Sequence, residues 1–420
     1  MTLASPTAAE LDYVRRDPRW ADLERLRVAN PMYDATIEEI DGRRIRVGNH
    51  WLTDFASCNY LGFDLDPEIM DAIAPEVRRW GTHPSWSRLL GNPALYPRIE
   101  EELAELLDAP DTLVLPTITH IHMSVLPILA GQGHVFLDSQ AHKTIYDGSV
   151  YARGMGATLR RFRSNDLEHL AELLRATPAG VTKIVAMDGV NSMTGNVPDV
   201  AAFAAVARQY GALLYVDDAH GFGVIGERSA DETSPYGRRG NAIVKYCGET
   251  YDNIVLVGGF SKAYSSLLAF LALPTWLKNH LKVSAPPYLY SGPAPTASLA
   301  TVRAGMSVNA VRGDAIRADL YRKSRKVLDH VRALGVHTPN VGDTPVIELP
   351  LAAGRDVDAV GKLLWDRGIY VTLAAYPLVP RDQVGFRVQV TVVNTDEEID
   401  QLNAVIGELA ADGVLRGAER

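Results

Sequence analysis

"LVGGFSKAYSS", Leu256–Ser266, decides how the rest of the chain is read. An apolar run of β type, Ile254 to Val257, stops at Gly258 and Gly259 and then delivers Ser261 and Lys262 before a new apolar segment begins. A strand ends here and the chain turns. A lysine at such a point is ordinarily a solvated loop charge. Its neighbours are small or apolar, however, and burial among them would make it a candidate nucleophile.

Working outward, helical and strand-like segments alternate from about Asp54 to Pro274. "EIMDAIAPEVRRW" and "RIEEELAELLDA" carry apolar residues at helical spacing, while "HVFLD", "TKIVAMDG", "ALLYVDDAHG", "NIVLVGG" and "FLALP" are short apolar runs that stop at polar or turn-forming residues. Unbroken apolar strands separated by helices imply an α/β domain, residues 54–300, with a mostly parallel sheet covered by helices on both faces. In such sheets ligands bind off the carboxyl ends of the strands. Asp138, Asp188, Asp217 and Lys262 are therefore expected to converge on one rim. The Pro/Gly-rich bend "YLYSGPAPTASLATVRAG" leads into a long helical pattern, then "TPVIELPL", "LLWDRGIYVTLAAYP", "FRVQVTVV" and a last helix, "EEIDQLNAVIGEL". This predicts a smaller C-terminal α+β domain, residues 301–420. Residues 1–53 form a helical and extended N-terminal segment, and residues 227–252 a long polar loop that is either a surface excursion or a lid.

The 420 residues suffice for two cores, and 47% hydrophobic with 22% charged residues is ordinary globular composition. A net charge of -9 disfavours nucleic acid and anionic membrane as partners and favours small-molecule chemistry. Two cysteines, Cys58 and Cys247, make no disulfide framework. The first twenty residues have no apolar core of signal type and read as a polar amphipathic helix, and the longest apolar run, Leu267 to Leu273, closes at Pro274. The expected compartment is the cytoplasm.

Three familiar motifs fail on their surroundings. "HGFGVIG" has Gly221, Gly223 and Gly226 at dinucleotide-binding spacing, but "ERSADETSPYG" follows with no helical periodicity to receive a pyrophosphate. "THIHMS" sets His120 beside His122 without HExxH or a cysteine partner, so structural histidines are expected and no metal. No GxSxG occurs for a serine hydrolase. "LLYVDDAHGFG" is more specific. Asp217 at a strand end, His220 three residues on and Lys262 on another strand end suit pyridoxal phosphate, which needs an amine for a Schiff base and a carboxylate to keep its ring nitrogen protonated.

The ordered set "FASCNYLG", "SRLLGNPALYPRIEEELAELL", "DSQAHKT", "MDGVNSMTG", "VDDAHGFGVIG", "FSKA" and "RVQVT" resembles the α-oxoamine synthases, fold-type-I pyridoxal phosphate transferases, from about Trp51 to the C-terminal helix. The resemblance implies that Lys262 is the Schiff-base lysine and proton acceptor, Asp217 the partner of the ring nitrogen, and His220 that of the phenolic oxygen. It implies that His142 stacks on the ring and that Ser192 lies near the same oxygen. Thr117, Ile118 and Thr119 would hold the phosphate at a helix N-terminus, with Ser261, and Ser291 of the partner subunit, as further donors. Arg387 would grip the amino-acid carboxylate, with Cys58 and Asn59 in the substrate-binding turn. The implied reaction is a decarboxylative Claisen condensation of an amino acid with an acyl thioester, and the implied assembly a homodimer with shared active sites.

Departures cluster on the substrate side. Cys58 stands where the family has an asparagine, Gly259 where it has a phosphate-binding threonine, and "YSSLLAF" where a glycine-rich run follows the lysine. Asn191, Thr194 and Asn394 replace an aromatic, an aspartate and a histidine. An unusual substrate pair is expected. Alternatives are elimination–replacement or annulation on a larger amino acid such as S-adenosylmethionine, transamination, or a non-catalytic subunit.

Overall fold

Strands buried along nearly their whole length, the edge strand Thr158–Phe162 apart, build the main sheet. The computed structural model describes residues 20–418, so nearly all of the amphipathic helix expected over the first twenty residues lies outside the described part. In chain order the strands are β1 (Glu39–Asp41), β2 (Arg44–Val47), β3 (His50–Asp54), β4 (Asp111–Leu115), β5 (His134–Asp138), β6 (Thr158–Phe162), β7 (Lys183–Asp188), β8 (Leu213–Asp217), β9 (Ile254–Gly259), β10 (Ala269–Leu273), β11 (Val346–Pro350), β12 (Ile369–Tyr370), β13 (Thr372–Ala374) and β14 (Gly385–Gln389). The chain forms two compact units. One comprises residues 58–323 and 341–344, and the other residues 1–57, 324–340 and 345–420.

The larger unit holds a seven-stranded sheet in the order β4-β10-β9-β8-β7-β5-β6. Strands β6, β5, β7, β8 and β9 are parallel, and β10 runs against both β9 and β4. Only residues 260–268 separate β9 from β10, too few for the helical crossover that a parallel connection needs, so the chain must fold back. Lys262 sits in that return turn. Alternate residues Val135 and Leu137, Ile184 and Ala186, and Val255 and Val257 join one apolar cluster with Ile121, Val125 and Leu126 of the helix Ile118–Ala130. Each fully buried Val, Leu or Ile among them contributes about 1.5–3 kcal/mol.

The smaller unit contains the sheet β1-β2-β3-β12 and the antiparallel sheet β11-β14-β13. Its extent differs from the expected 301–420, because β3 pairs in parallel with β12 and thereby joins residues expected to stand apart at 1–53. Likewise the division falls at 323/324 within the helix Thr296–Ala333 rather than at 300/301, a point that helical periodicity does not mark.

The polar loop is tied to the larger unit. Arg239 donates its backbone N–H to Asp314 at 2.8 Å, the Tyr236 hydroxyl donates to the Asp343 carbonyl at 2.8 Å, and Glu227 bridges to Arg238. These bonds favour the surface excursion over the lid. No helix opens after Gly226, which is followed by that loop.

Candidate active site

The carboxyl ends of β7 and β8 and the turns after β4, β5 and β9 enclose a cavity of about 310 Å³. It is lined by Thr117, Ile118, Thr119, His142, Thr144, Asp188, Val190, Ser192, Asp217, Ala219, His220, Ser261, Lys262 and Leu267. A cavity of about 660 Å³ in the same unit has none of these groups, and its Arg238, Arg239 and Arg312 are already paired with carboxylates.

Each lining group has a local reason for its place. Thr117 caps the helix Ile118–Ala130 by accepting from the His120 N–H at 3.3 Å, and its carbonyl accepts from Ile121. The N–H groups of Ile118 and Thr119 then have no partner among the described residues, the usual surplus of a helix N-terminus. His142 caps the helix Lys143–Gly154, its ring accepting from the Thr144 N–H, and its own N–H donates to Asp188 at 2.9 Å. The Lys262 turn closes by Ser265 N–H to the Lys262 carbonyl, 2.9 Å, and needs φ of +54° at Ser265. Phe260 anchors it against Phe222, Tyr264 and Phe270.

Gly259 explains itself here. A Cβ at that position would lie 2.5 Å from Ile118 Cδ1. The space that a threonine side chain would fill from β9 is thus filled from the opposite side by Ile118.

Two carboxyls meet at the rim. Asp188 and Asp217 are register partners at the ends of β7 and β8. Burial, then the charge of Asp217, pushes Asp188 well above the usual carboxylate range. Burial acts the same way on Asp217, but His122, Lys262 and His142 outweigh it and hold Asp217 at about 2. The next residue, Asp218, is pushed up to about 7 by burial, although it accepts from the N–H groups of Ile243 and Val190.

These groups fit pyridoxal phosphate. Spare N–H groups and the hydroxyls of Thr117, Thr119 and Ser261 suit its phosphate, an ionised carboxylate suits its ring nitrogen, and a lysine amine suits its aldehyde. The cavity also has the size usual for such ligands.

Of the predicted site residues, nine line this cavity and four do not. Asn59 donates to Asp64 at 2.9 Å within its own turn, Cys58 lies half-buried just before it, and Ser291 donates to the Gly292 carbonyl. Arg387 belongs to the smaller unit, on the middle strand β14 opposite Glu348 of β11. Burial raises that glutamic acid to about 7, although the Arg387 charge draws it down. Three departures have local explanations. Asn191 Oδ1 accepts from the N–H groups of Met193 and Thr194 and from the Thr194 hydroxyl, so Asn191 and Thr194 fold the Ser192 loop together. Buried Asn394 accepts from Thr391 N–H and hydroxyl and donates to the Asp54 carbonyl.

Two contributors were not assigned to the site from sequence, where His122 was read as a structural histidine. Tyr60 hydroxyl lies 2.8 Å from His220 Nδ1. His122 Nε2 lies 2.8 Å from Asp217 Oδ2. The second was detectable in principle, since a helix opening at Thr117 puts His122 three and four residues before apolar Val125 and Leu126, on one face. Among the described residues no group of His, Cys, Asp and Glu side chains is placed to hold a metal ion, and no described helix is long and apolar enough to cross a membrane.

A family model for aminotransferase class I and II matches residues 52–406. The 8-amino-7-oxononanoate synthase of Chromohalobacter salexigens is 33% identical over 351 residues, 83% of this chain and 87% of that one. The enzyme of the same name from Chromobacterium violaceum is 32% identical over 423 residues, 99% and 98% of the two chains. Serine palmitoyltransferase of Caulobacter vibrioides is 30% identical over 370 residues, 86% and 87%. Among solved structures, serine palmitoyltransferase of Sphingomonas wittichii superposes with a TM-score of 0.85 at 24% identity over 95% of this chain and 98% of that one. One from S. paucimobilis with bound PLP does so at 0.85 and 21%, over 97% and 100%. At these identities the structural likeness is one of fold.

Proposed function

Since the chain belongs to the aminotransferase class I and II family, in its α-oxoamine synthase branch, and depends on pyridoxal phosphate, we propose that it condenses an amino acid with an acyl thioester, with loss of the amino-acid carboxyl group. The observation that carries this reading is the single cavity shared by Lys262, an Asp217 held ionised and two spare helix N–H groups. Pyridoxal phosphate, when bound, supplies an aldehyde with which an amine condenses and a protonated ring that takes up an electron pair.

The chain's own residues do the rest. Thr117, Ile118 and Thr119, with Ser261, hold the phosphate, and Ser291 of the partner subunit adds a donor. Asp217 would accept from the cofactor's ring nitrogen and keep a proton there. His142 would cover the ring, while His220, oriented through Nδ1 by Tyr60, and Ser192 would bond the phenolic oxygen. Lys262 Nζ carries the amine and takes the α-proton of the bound amino acid. Arg387 is assigned the amino-acid carboxylate, with Cys58 and Asn59 in the substrate turn. The working form is a homodimer in the cytoplasm, with neither nucleic acid nor membrane as partner.

The amino acid and the acyl donor are found by titrating the purified holoenzyme with glycine, alanine, serine and S-adenosylmethionine, following visible absorption, then adding acyl thioesters. Release of free thiol and carbon dioxide together supports the condensation. Expulsion of methylthioadenosine, or conversion of the cofactor to its amine form without thiol release, overturns it.

A further inference from the structure

We propose that His122 is a positioning residue for the cofactor: its imidazole, bridging Tyr215 and Asp217, fixes which of the two rim carboxyls receives the cofactor's ring nitrogen. This rests on the assignment of Asp217 to that nitrogen. The ring is fully buried and both its nitrogens are occupied. Nε2 is 2.8 Å from Asp217 Oδ2, and Nδ1 is 2.9 Å from the Tyr215 hydroxyl. A carboxylate only accepts, so Nε2–H donates to Asp217, while Nδ1 shares a hydrogen bond with the Tyr215 hydroxyl.

Strand geometry makes the bridge possible. Residues i and i+2 of a strand project to one face, so Tyr215 and Asp217 of β8 present hydroxyl and carboxylate to the same imidazole. The His122 ring also packs edge-on to Tyr215, with centroids 5.6 Å apart. On its other side the backbone is locked, because a Cβ at Gly148 would come within 2.3 Å of the His122 carbonyl oxygen. The donor is thus held by a helix turn that has no room to shift.

The bridge has a chemical consequence. Asp217 and its neighbour Asp188 compete for one proton at adjacent strand ends. Asp188 accepts from the His142 N–H and the Asn191 amide, whereas Asp217 accepts from the Ala219 N–H and the imidazole. Asp138, Asp218, Lys262 and His142 also interact electrostatically with the pair. Removing the imidazole takes the strongest donor from Asp217 and lets the proton settle there, where it would oppose a protonated ring nitrogen.

The experiment compares affinities of the cofactor-free protein for pyridoxal phosphate and for its 1-deaza analogue, which has carbon in place of the ring nitrogen. His122→Leu should weaken pyridoxal phosphate by about tenfold or more, the scale of a lost hydrogen bond to a charged group, and leave the analogue unchanged. His122→Gln, which can return an N–H to Asp217, should restore much of the loss, and Tyr215→Phe should lose less. Circular dichroism tells folded variants from unfolded ones, and if His122→Leu does not fold, the Gln and Phe variants carry the comparison. Equal weakening for both ligands would reduce His122 to packing and overturn the proposal. If Asp217→Asn separates the two ligands while the His122 variants do not, Asp217 keeps its role and only the inference falls. If Asp217→Asn does not separate them, the Asp217 assignment itself fails.

Discussion

Asp188 and Asp217 stand opposite each other at the ends of neighbouring parallel strands, and the His122 imidazole lies 2.8 Å from Asp217. Two carboxyls so placed and so buried do not both ionise cheaply, and the asymmetry of their donors decides which one does.

An acid-stability experiment follows from that asymmetry. The folded value of Asp217, about 2, lies below the ordinary 3.8, so unfolded chains bind its proton more readily. Its contribution is complete above about pH 4 and is lost as pH falls toward 2, about 2 kcal/mol in all. Asp188, Asp218 and Glu348, raised above their ordinary values, act in the opposite sense over the same range. The test is therefore the difference between parent and Asp217→Asn in urea melts of cofactor-free protein at pH 5 and pH 3, where the parent should lose more, or gain less, stability on acidification. The same change in both proteins would assign it to other groups.

Lys262→Ala should leave a folded protein to which the cofactor is no longer covalently attached. Borohydride reduction followed by intact-mass measurement should add the cofactor's mass to the parent chain and not to the variant. Retention of that adduct in the variant would move the amine to another lysine.

The Ile118–Gly259 contact makes a double-mutant cycle. Gly259→Ala drives its new methyl toward Ile118 Cδ1, the mobile end of that side chain. Ile118 lines the cavity and should yield into it. Cofactor affinity should therefore fall several-fold with little loss of stability, and Ile118→Ala should rescue it in the double variant. Additive effects would mean that the two positions do not share space.

Arg88 and Glu100 form a buried ion pair at 3.0 Å, with side-chain exposures of 3% and 6%. Lys278 adds a second cation at 3.0 Å, and the guanidinium also lies 3.9 Å over the Tyr96 ring. Arg88→Ala removes both the charge and the stack and should cost about 3–5 kcal/mol. Denaturant unfolding measures it, and a loss below about 1 kcal/mol would show that Lys278 alone satisfies Glu100.

Arg387→Ala should raise the half-saturating amino-acid concentration at least tenfold while cofactor affinity changes little. Parallel titrations of the holoenzyme and of the cofactor-free protein separate the two. Unchanged amino-acid affinity would place the carboxylate elsewhere.

Much of this was legible in the chain itself. Strands buried on both faces leave unbroken apolar runs, so β5, β7, β8 and β9 stand out by composition alone, and their terminal residues mark the rim. Motif order pointed to the cofactor, since Lys262, Asp217, His220 and His142 all lie on strand ends or the turns that follow them. The reversal of β10 was implicit in a nine-residue link between two strands, but only pairing made it explicit.

What sequence by itself determined were the elements, the family and most of the cavity lining, because these depend on local periodicity and on motifs that span a few residues. Tertiary structure decided the rest. It set the β3–β12 pairing that carries the N-terminal segment into the smaller unit, the filling of Gly259's space by Ile118, and the His122 bridge to Tyr215 and Asp217. Each of these joins residues from about ninety to more than three hundred positions apart, and no local pattern encodes a contact whose partner is chosen by packing.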